Sequence, residues 1–352
     1  MKGTQGGAGL FQRAMAQAKP PLDALGASAS KLPGILGRVG SSFASLSTVG
    51  KLGWIGAVVA SITVLSKVMG DAVQASMEFG QAMSQLGAIT GTSGSQLDSM
   101  RAQIQGVARD TYTSSKDVAE NFALIGSALP MLLKDADGLE QVSRSAITLS
   151  KAGLMPLKDA TDSLTVSMAQ FNLGAESSGY ATDVLANAAQ KGSAGISSIA
   201  ETLKNCGTAA NQAGLNLHEA AAAAEVLADK GLKGAEAGTQ LKTMFTKMQT
   251  SGLDELNPKI VGMEAALKNL SKQANNAAFM NATFGESASQ AATILAQNTG
   301  RYEELVAAMG DYGTAAEMAR GNSDNLAGDI NKLTTAWTNF LSSFNMEKGW
   351  GD

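Results

Sequence analysis

The chain is short of the residue types on which disulfide frameworks, metal centres and acid–base catalysis depend. Of 352 residues one is Cys and one is His, and the aromatic residues make up only 5%. A single Cys, Cys206, excludes an intramolecular disulfide and any multi-cysteine zinc site. A single His, His218, excludes paired-imidazole metal ligation and leaves Ser/His/Asp chemistry only one possible base. With so few aromatic residues, any core must be built from Ala, Leu, Ile, Val and the 16 Met. A net charge of −4 argues against a dedicated nucleic-acid-binding domain.

The usual short motifs are missing too. There is no G-x-x-x-x-G-K-[ST] loop and no G-x-G-x-x-G following a strand. Asp135, Asp137 and Gly138 resemble part of a calcium loop, but its first and last ligand positions would be Leu133 and Arg144, which rules it out. His218 reads as an exposed first-turn residue ahead of the run Ala220–Ala224, and Cys206 as a thiol lodged near a helix end. The composition points away from an enzyme, and no cofactor is expected.

What is present is unevenly distributed. Residues 1–70 carry seven Lys or Arg against Asp23 alone, a net of +6, so residues 71–352 hold −10. Twelve of the 39 Gly also fall in those first 70 residues. Residues 1–45 therefore read as a flexible basic arm, with Arg13, Lys19, Lys31, Arg38 and, just beyond, Lys51 as candidate contacts to an anionic partner. The Gly-rich start has no compact apolar stretch of the kind a secretory signal needs.

Residues 46–94 form the second expected segment. It contains the strongest apolar run, Leu52 to Ser66, set between Lys51 and Lys67. The run is short of the roughly 20 residues a bilayer span requires. Its small residues, Gly53 with Ala57 and Gly56 with Ala60, lie four apart and suit close helix packing. Leu52, Trp54 and Leu65 supply apolar bulk, so the segment reads either as a helix-packing element or as a membrane-inserting one.

From residue 95 onward the pattern is helical. Val118, Phe122, Ile125 and Leu129 form one stripe, ended by Pro130, and Leu139, Val142, Ala146 and Leu149 form another, ended at Gly153. Leu157, Leu164, Met168 and Phe171 follow, with a stop at Gly174. Ser114 with Asp117, Ser198 with Glu201, and Asn216 with Glu219 have the spacing of helix-start caps. A weak internal repeat lays Ala152-Gly153-Leu154 and Ala160, Leu164, Met168, Phe171 over Lys230-Gly231-Leu232 and Ala237, Leu241, Phe245, Met248, with one residue of gap. If real, it stacks helix pairs in a solenoid-like layer. The expected architecture is all-α: a bundle of short helices over about 95–255, then elongated Ala/Asn/Gln-rich helices over 256–352. The thin stripes of that last segment are expected to bury against copies of the chain.

These residues carry a resemblance. Phe79-Gly80-Gln81-Ala82-Met83 with Ala88-Ile89-Thr90-Gly91, then Asp183-Val184-Leu185-Ala186, Leu203-Lys204 with Gly207, and Leu227-Ala228 leading to Gly231 and Ala237-Gly238-Thr239-Gln240-Leu241 resemble the core region of phage tail tape measure proteins over about 75–310. The resemblance implies a structural virion protein, several copies of which occupy the tail lumen, fix tail length during assembly in the host cytoplasm and leave ahead of the DNA. It also implies partners: the tail tube protein, tail assembly chaperones, baseplate or tip proteins, and the host inner membrane and DNA during ejection.

A fully helical chain of 352 residues reaches at most about 530 Å at ~1.5 Å per residue. Many members of that family are longer, which fits a short tail, a piece of a longer protein or a degraded prophage product. The alternative reading is a membrane-active protein, pore-forming or secreted, that works through Leu52–Ser66.

Overall fold

The computed structural model describes residues 74–324 and 326–342. The basic arm and the Leu52–Ser66 run lie outside the described residues. Among the described residues there is no strand, and the all-α expectation holds. No helix among them is long and apolar enough to cross a membrane.

Helix α1 covers residues 74–90. It is followed by α2 (Ser95–Thr111), α3 (Ser115–Ala128), α4 (Ala136–Gly153), α5 (Leu157–Gln170), α6 (Ser178–Lys191), α7 (Ile196–Gln212), α8 (Leu217–Ala228) and α9 (Gly234–Thr250). Local chemistry sets several of these starts. The Ser114 hydroxyl accepts the Asp117 N–H at 3.0 Å, and Asn216 and Glu219 form a reciprocal capping box at the start of α8. Asp135, the residue that hinted at calcium, accepts the Gly138 N–H at 2.9 Å and caps α4. The expected stripes on α3 and α4 are fully buried.

Three expected boundaries move. Ser198 is not a cap, because α7 begins at Ile196 and Ser198 lies within its first turn. The chain leaves α4 through Leu154 at φ 48°, not through Gly153. Gly153 serves a different need: a Cβ there would sit 2.9 Å from the Ile196 side chain. Likewise Asn172, at φ 53°, takes the left-handed position after α5 in place of Gly174.

Helices pack on their second neighbours as well as their first. α3, α5, α7 and α9 stack in one layer, and α2, α4, α6 and α8 in the other. Interlayer and intralayer bonds follow: Asn121 donates to the Ser143 hydroxyl, Gln170 to the Lys204 carbonyl, and Thr202 to the Gly234 carbonyl. The weak repeat is visible in this stacking and needs no gap. Leu154 and Gly231 are both left-handed, and the N–H of the following residue returns to Ser150 and Leu227 respectively. From there Ala160 and Ala237, Leu164 and Leu241, Met168 and Phe245, and Phe171 and Met248 correspond at the same offset, all buried.

Residues beyond 255 depart from expectation. In place of elongated helices the chain makes α10 (Pro258–Val261), α11 (Met263–Ser271), α12 (Ala277–Phe284), α13 (Glu286–Gln297), α14 (Thr299–Ala308) and α15 (Thr314–Ser323), none longer than 12 residues, and then α16 (Leu326–Ser342). Their thin stripes are buried within the chain's own core: Leu267, Leu270, Ala291, Leu295 and Leu305 are fully covered and belong to the same apolar cluster as α2–α9. α13 adds a rung to the odd layer against α9, and α14 adds one to the even layer against α8. α15 then packs on α4 and α6, and α16 reaches α2, so the chain returns along the even layer.

Candidate functional site

The described residues offer no catalytic constellation to build from. No three His, Cys, Asp or Glu among them come together as a metal site. A groove of about 300 Å³ between α12 and α13, lined by Met280, Asn281, Gln290 and Ile294 among others, carries no titratable group. The informative chemistry lies instead in how the helices are held at their crossings and ends.

Two glycines of the resemblance mark close helix crossings. A Cβ on Gly238 of α9 would fall 2.5 Å from the Thr202 carbonyl oxygen of α7, and one on Gly207 of α7 would fall 2.0 Å from the Gln170 side chain of α5. Gly231 supplies a left-handed turn at φ 87°. Phe79, Met83, Leu203 and Leu241 are buried core residues, with the Arg101 guanidinium 5.3 Å from the centre of the Phe79 ring. Ile89 is exposed, and the Thr239 hydroxyl only bonds back to the Ala235 carbonyl. Asp183 holds the start of α15, its two oxygens accepting the N–H groups of Gly313 at 2.9 Å and Ala315 at 3.0 Å. These ten positions are thus spread over the helical stack and form no single pocket.

Sequence reasoning missed Glu225. It lies on α8, whose alanine run is buried on every side, and its own side chain is fully buried. One carboxylate oxygen accepts the N–H groups of Ser193 (2.9 Å) and Ala194 (3.3 Å), which lead into α7. That bond pins the turn ahead of α7, whose N-cap Gly195 has no side-chain cap of its own. Burial pushes the Glu225 carboxyl up to about 7, against the pull of the two backbone N–H groups. A Glu directly after five alanines and before Val-Leu-Ala was the available signal, since a charge amid apolar neighbours has to find buried partners.

His218 is half-buried, not exposed. Its Nδ1 is 2.9 Å from the Tyr180 hydroxyl, and burial lowers its pKa. Cys206 is buried in α7, and burial pushes its thiol up to about 12. In the native chain it is expected to resist thiol-specific reagents at neutral pH and to react fully once denatured. Rapid labelling of the folded protein would contradict this burial.

A second missed set lies on α14 and the returning helices after it, where side chains cap the ends of the even helices. Arg301 donates to the carbonyl of Lys191, the last residue of α6, at 2.7 Å and pairs with Asp229, just past the end of α8, at 3.0 Å. Asn322 donates to the carbonyls of Lys151 and Ala152 at the end of α4. Asn339 donates to the Thr113 carbonyl and accepts the Ser115 N–H between α2 and α3. Each satisfies backbone groups that a helix end leaves open.

The sequence pattern of the family described as phage-related minor tail protein matches residues 101–285, more than half of the chain. The chain belongs to that family. The match takes in most of α2 and all of α3 to α12, and leaves α13 to α16 outside it. Two curated relatives align with 74% of the chain. They are the tape measure protein of Pneumococcus phage Dp-1, 27% identical, and the probable tape measure protein of Escherichia phage P2, 26% identical. The chain spans only 24% and 35% of the length of those two relatives. No solved structure matches it.

Proposed function

We propose that this chain is a structural, non-enzymatic tape measure component of a phage or prophage tail, lying in the tail lumen and setting tail length during assembly. The observation that carries this reading is the alignment of 74% of the chain with two proteins named as tape measure proteins from phages of different hosts. The family match over 101–285 supports it. Its partners in this reading are further copies of itself, the tail tube protein, tail assembly chaperones and baseplate or tip proteins. The basic arm, through Arg13, Lys19, Lys31, Arg38 and, just beyond it, Lys51, meets an anionic partner, either the tube wall or DNA. Leu52–Ser66 packs against other helices or against the host inner membrane during ejection.

The stacked repeat suggests the test. Removing residues 155–231 in frame joins Leu154 to Leu232 and deletes one repeat length at equivalent turns. If the chain is an extended helical ruler in the virion, tails seen by electron microscopy shorten by about 115 Å at ~1.5 Å per residue. Tails of unchanged length would defeat the ruler reading for this region.

A further inference from the structure

The returning helix α15, with the turn from Asp311 that leads into it, is attached differently from the helices before it. α1 to α9 and α11 to α14 share one continuous apolar core, whereas α15 has a separate small cluster consisting of Ala152, Ala186, Ala315 and Ala319, with Met318 against it. Four alanine methyls and part of one Met bury little apolar area. The attachment is instead made of side-chain bonds to backbone: Asp183 to the N–H groups of Gly313 and Ala315, Asn187 to the Asp311 carbonyl at 2.7 Å, Asn322 to Lys151 and Ala152, and Asn339 to Thr113 and Ser115. Such bonds are made about as well with water once the segment lifts. On the other side of the connection, α14 is firmly held, with Tyr302 and Leu305 fully buried. Between α14 and α15 lie Gly310 and Gly313, the latter at φ 88°, and an exposed Tyr312, so the connection has the conformational freedom to swing.

We propose that α15 and α16 form an exchangeable strap, and that the groove on α4 and α6 is a docking surface for the same strap of a second copy of this chain. The groove fits α15 because α15 already fills it. The bonds of Asp183, Asn187 and Asn322 join the strap and its lead-in to α4 and α6, those of Asn339 join it to the turn between α2 and α3, and none depends on the two sides belonging to one chain. Strap and groove are different surfaces, so each copy offers one of each, and the contact is heterologous and can be passed from copy to copy. A closed strap competes at an effective concentration on the order of millimolar. Dilute chains therefore stay closed, and exchange takes over only when copies are crowded to a similar concentration. This holds whether or not the chain acts in a tail lumen.

The test uses full-length chains with two different tags, one carrying Ala152→Cys and the other Ala319→Cys, mixed and treated with a mild thiol oxidant. At millimolar concentration a disulfide should join the two tags, and at micromolar concentration it should be nearly absent. Asp183→Ala in both chains should speed the approach to the same final yield, because it weakens the open-to-closed latch equally within and between copies. No cross-tag product at millimolar concentration, while a single chain carrying both cysteines links internally, would overturn the proposal. Native-state hydrogen exchange gives a second readout on the unmodified chain. α15 should lose protection at least tenfold faster than α7 and α9, and equal protection would overturn the strap as a separable unit.

Discussion

Replacing Gly238 with alanine is expected to destabilise the chain by about 2–3 kcal/mol, and replacing it with leucine to abolish the cooperative unfolding transition. The sign of the alanine result is the informative part. Gly238 lies inside α9, where helix propensity alone would make alanine more stable by about 1 kcal/mol. Against that, the new Cβ would sit 2.5 Å from the Thr202 carbonyl oxygen and 2.6 Å from the Asn205 Cβ. The carbonyl belongs to the backbone of α7 and cannot swing aside, so α7 and α9 must part along the crossing that the Thr202 to Gly234 bond helps to fix. Gly231→Ala is the matched comparison. Its Cβ meets nothing within 4 Å and carries only the strain of φ 87°, about 1 kcal/mol. Denaturant unfolding followed by helical circular dichroism separates the two, and a Gly238→Ala midpoint at or above that of the native sequence would contradict the close crossing.

Stability is also expected to fall as pH rises from about 4.5 to 7, with Glu225 as the cause. The folded chain holds the Glu225 proton up to about pH 7, whereas the unfolded chain releases it near 4.5. Between those values the native state binds more protons than the unfolded state, so raising the pH removes stability. A difference of that size corresponds to at most about 3 kcal/mol. His218 acts in the opposite sense. Its pKa is lowered by burial, so the native state binds its proton less readily and stability rises with pH up to about 6.5. Glu225→Gln isolates the first effect, because the amide oxygen still accepts the Ser193 and Ala194 N–H groups while nothing titrates. The difference between native and Glu225→Gln stabilities should vanish near pH 4.5 and grow towards pH 8 in favour of the glutamine. A difference that stays constant across that range would rule out Glu225 as the titrating group.

How much of this was legible in the sequence depends on the range over which each feature is determined. The stripes at Val118, Phe122 and Ile125 and the caps at Ser114 and Asn216 were readable, because spacing within one or two turns fixes them. The cap at Ser198 failed because α7 already starts at Ile196, after a turn that is pinned by Glu225, 32 residues away from Ser193. The elongated helices expected after residue 255 failed for a related reason. Leu267, Leu295 and Leu305 make stripes too thin to stand alone, and nothing local says that α9 and α8 wait to receive them. Of the site, the glycines at the helix crossings were legible through resemblance. Asn322 and Asn339 were not, since an Asn that caps a distant helix end looks like any polar surface residue.

The strap also has a consequence in time. Asn339 caps the Thr113 carbonyl across a separation of 226 residues. At a synthesis rate of about 5–20 residues per second, α2 and α3 emerge roughly 10–45 s before the side chain that secures the turn between them. Throughout that interval the nascent even layer shows open helix ends at α2 and α4, and the last of them to form is not the last to be covered. Closure runs backwards along the chain, from Arg301 at α6 and α8 to Asn339 at α2, so the earliest-made turn is the final one to be locked.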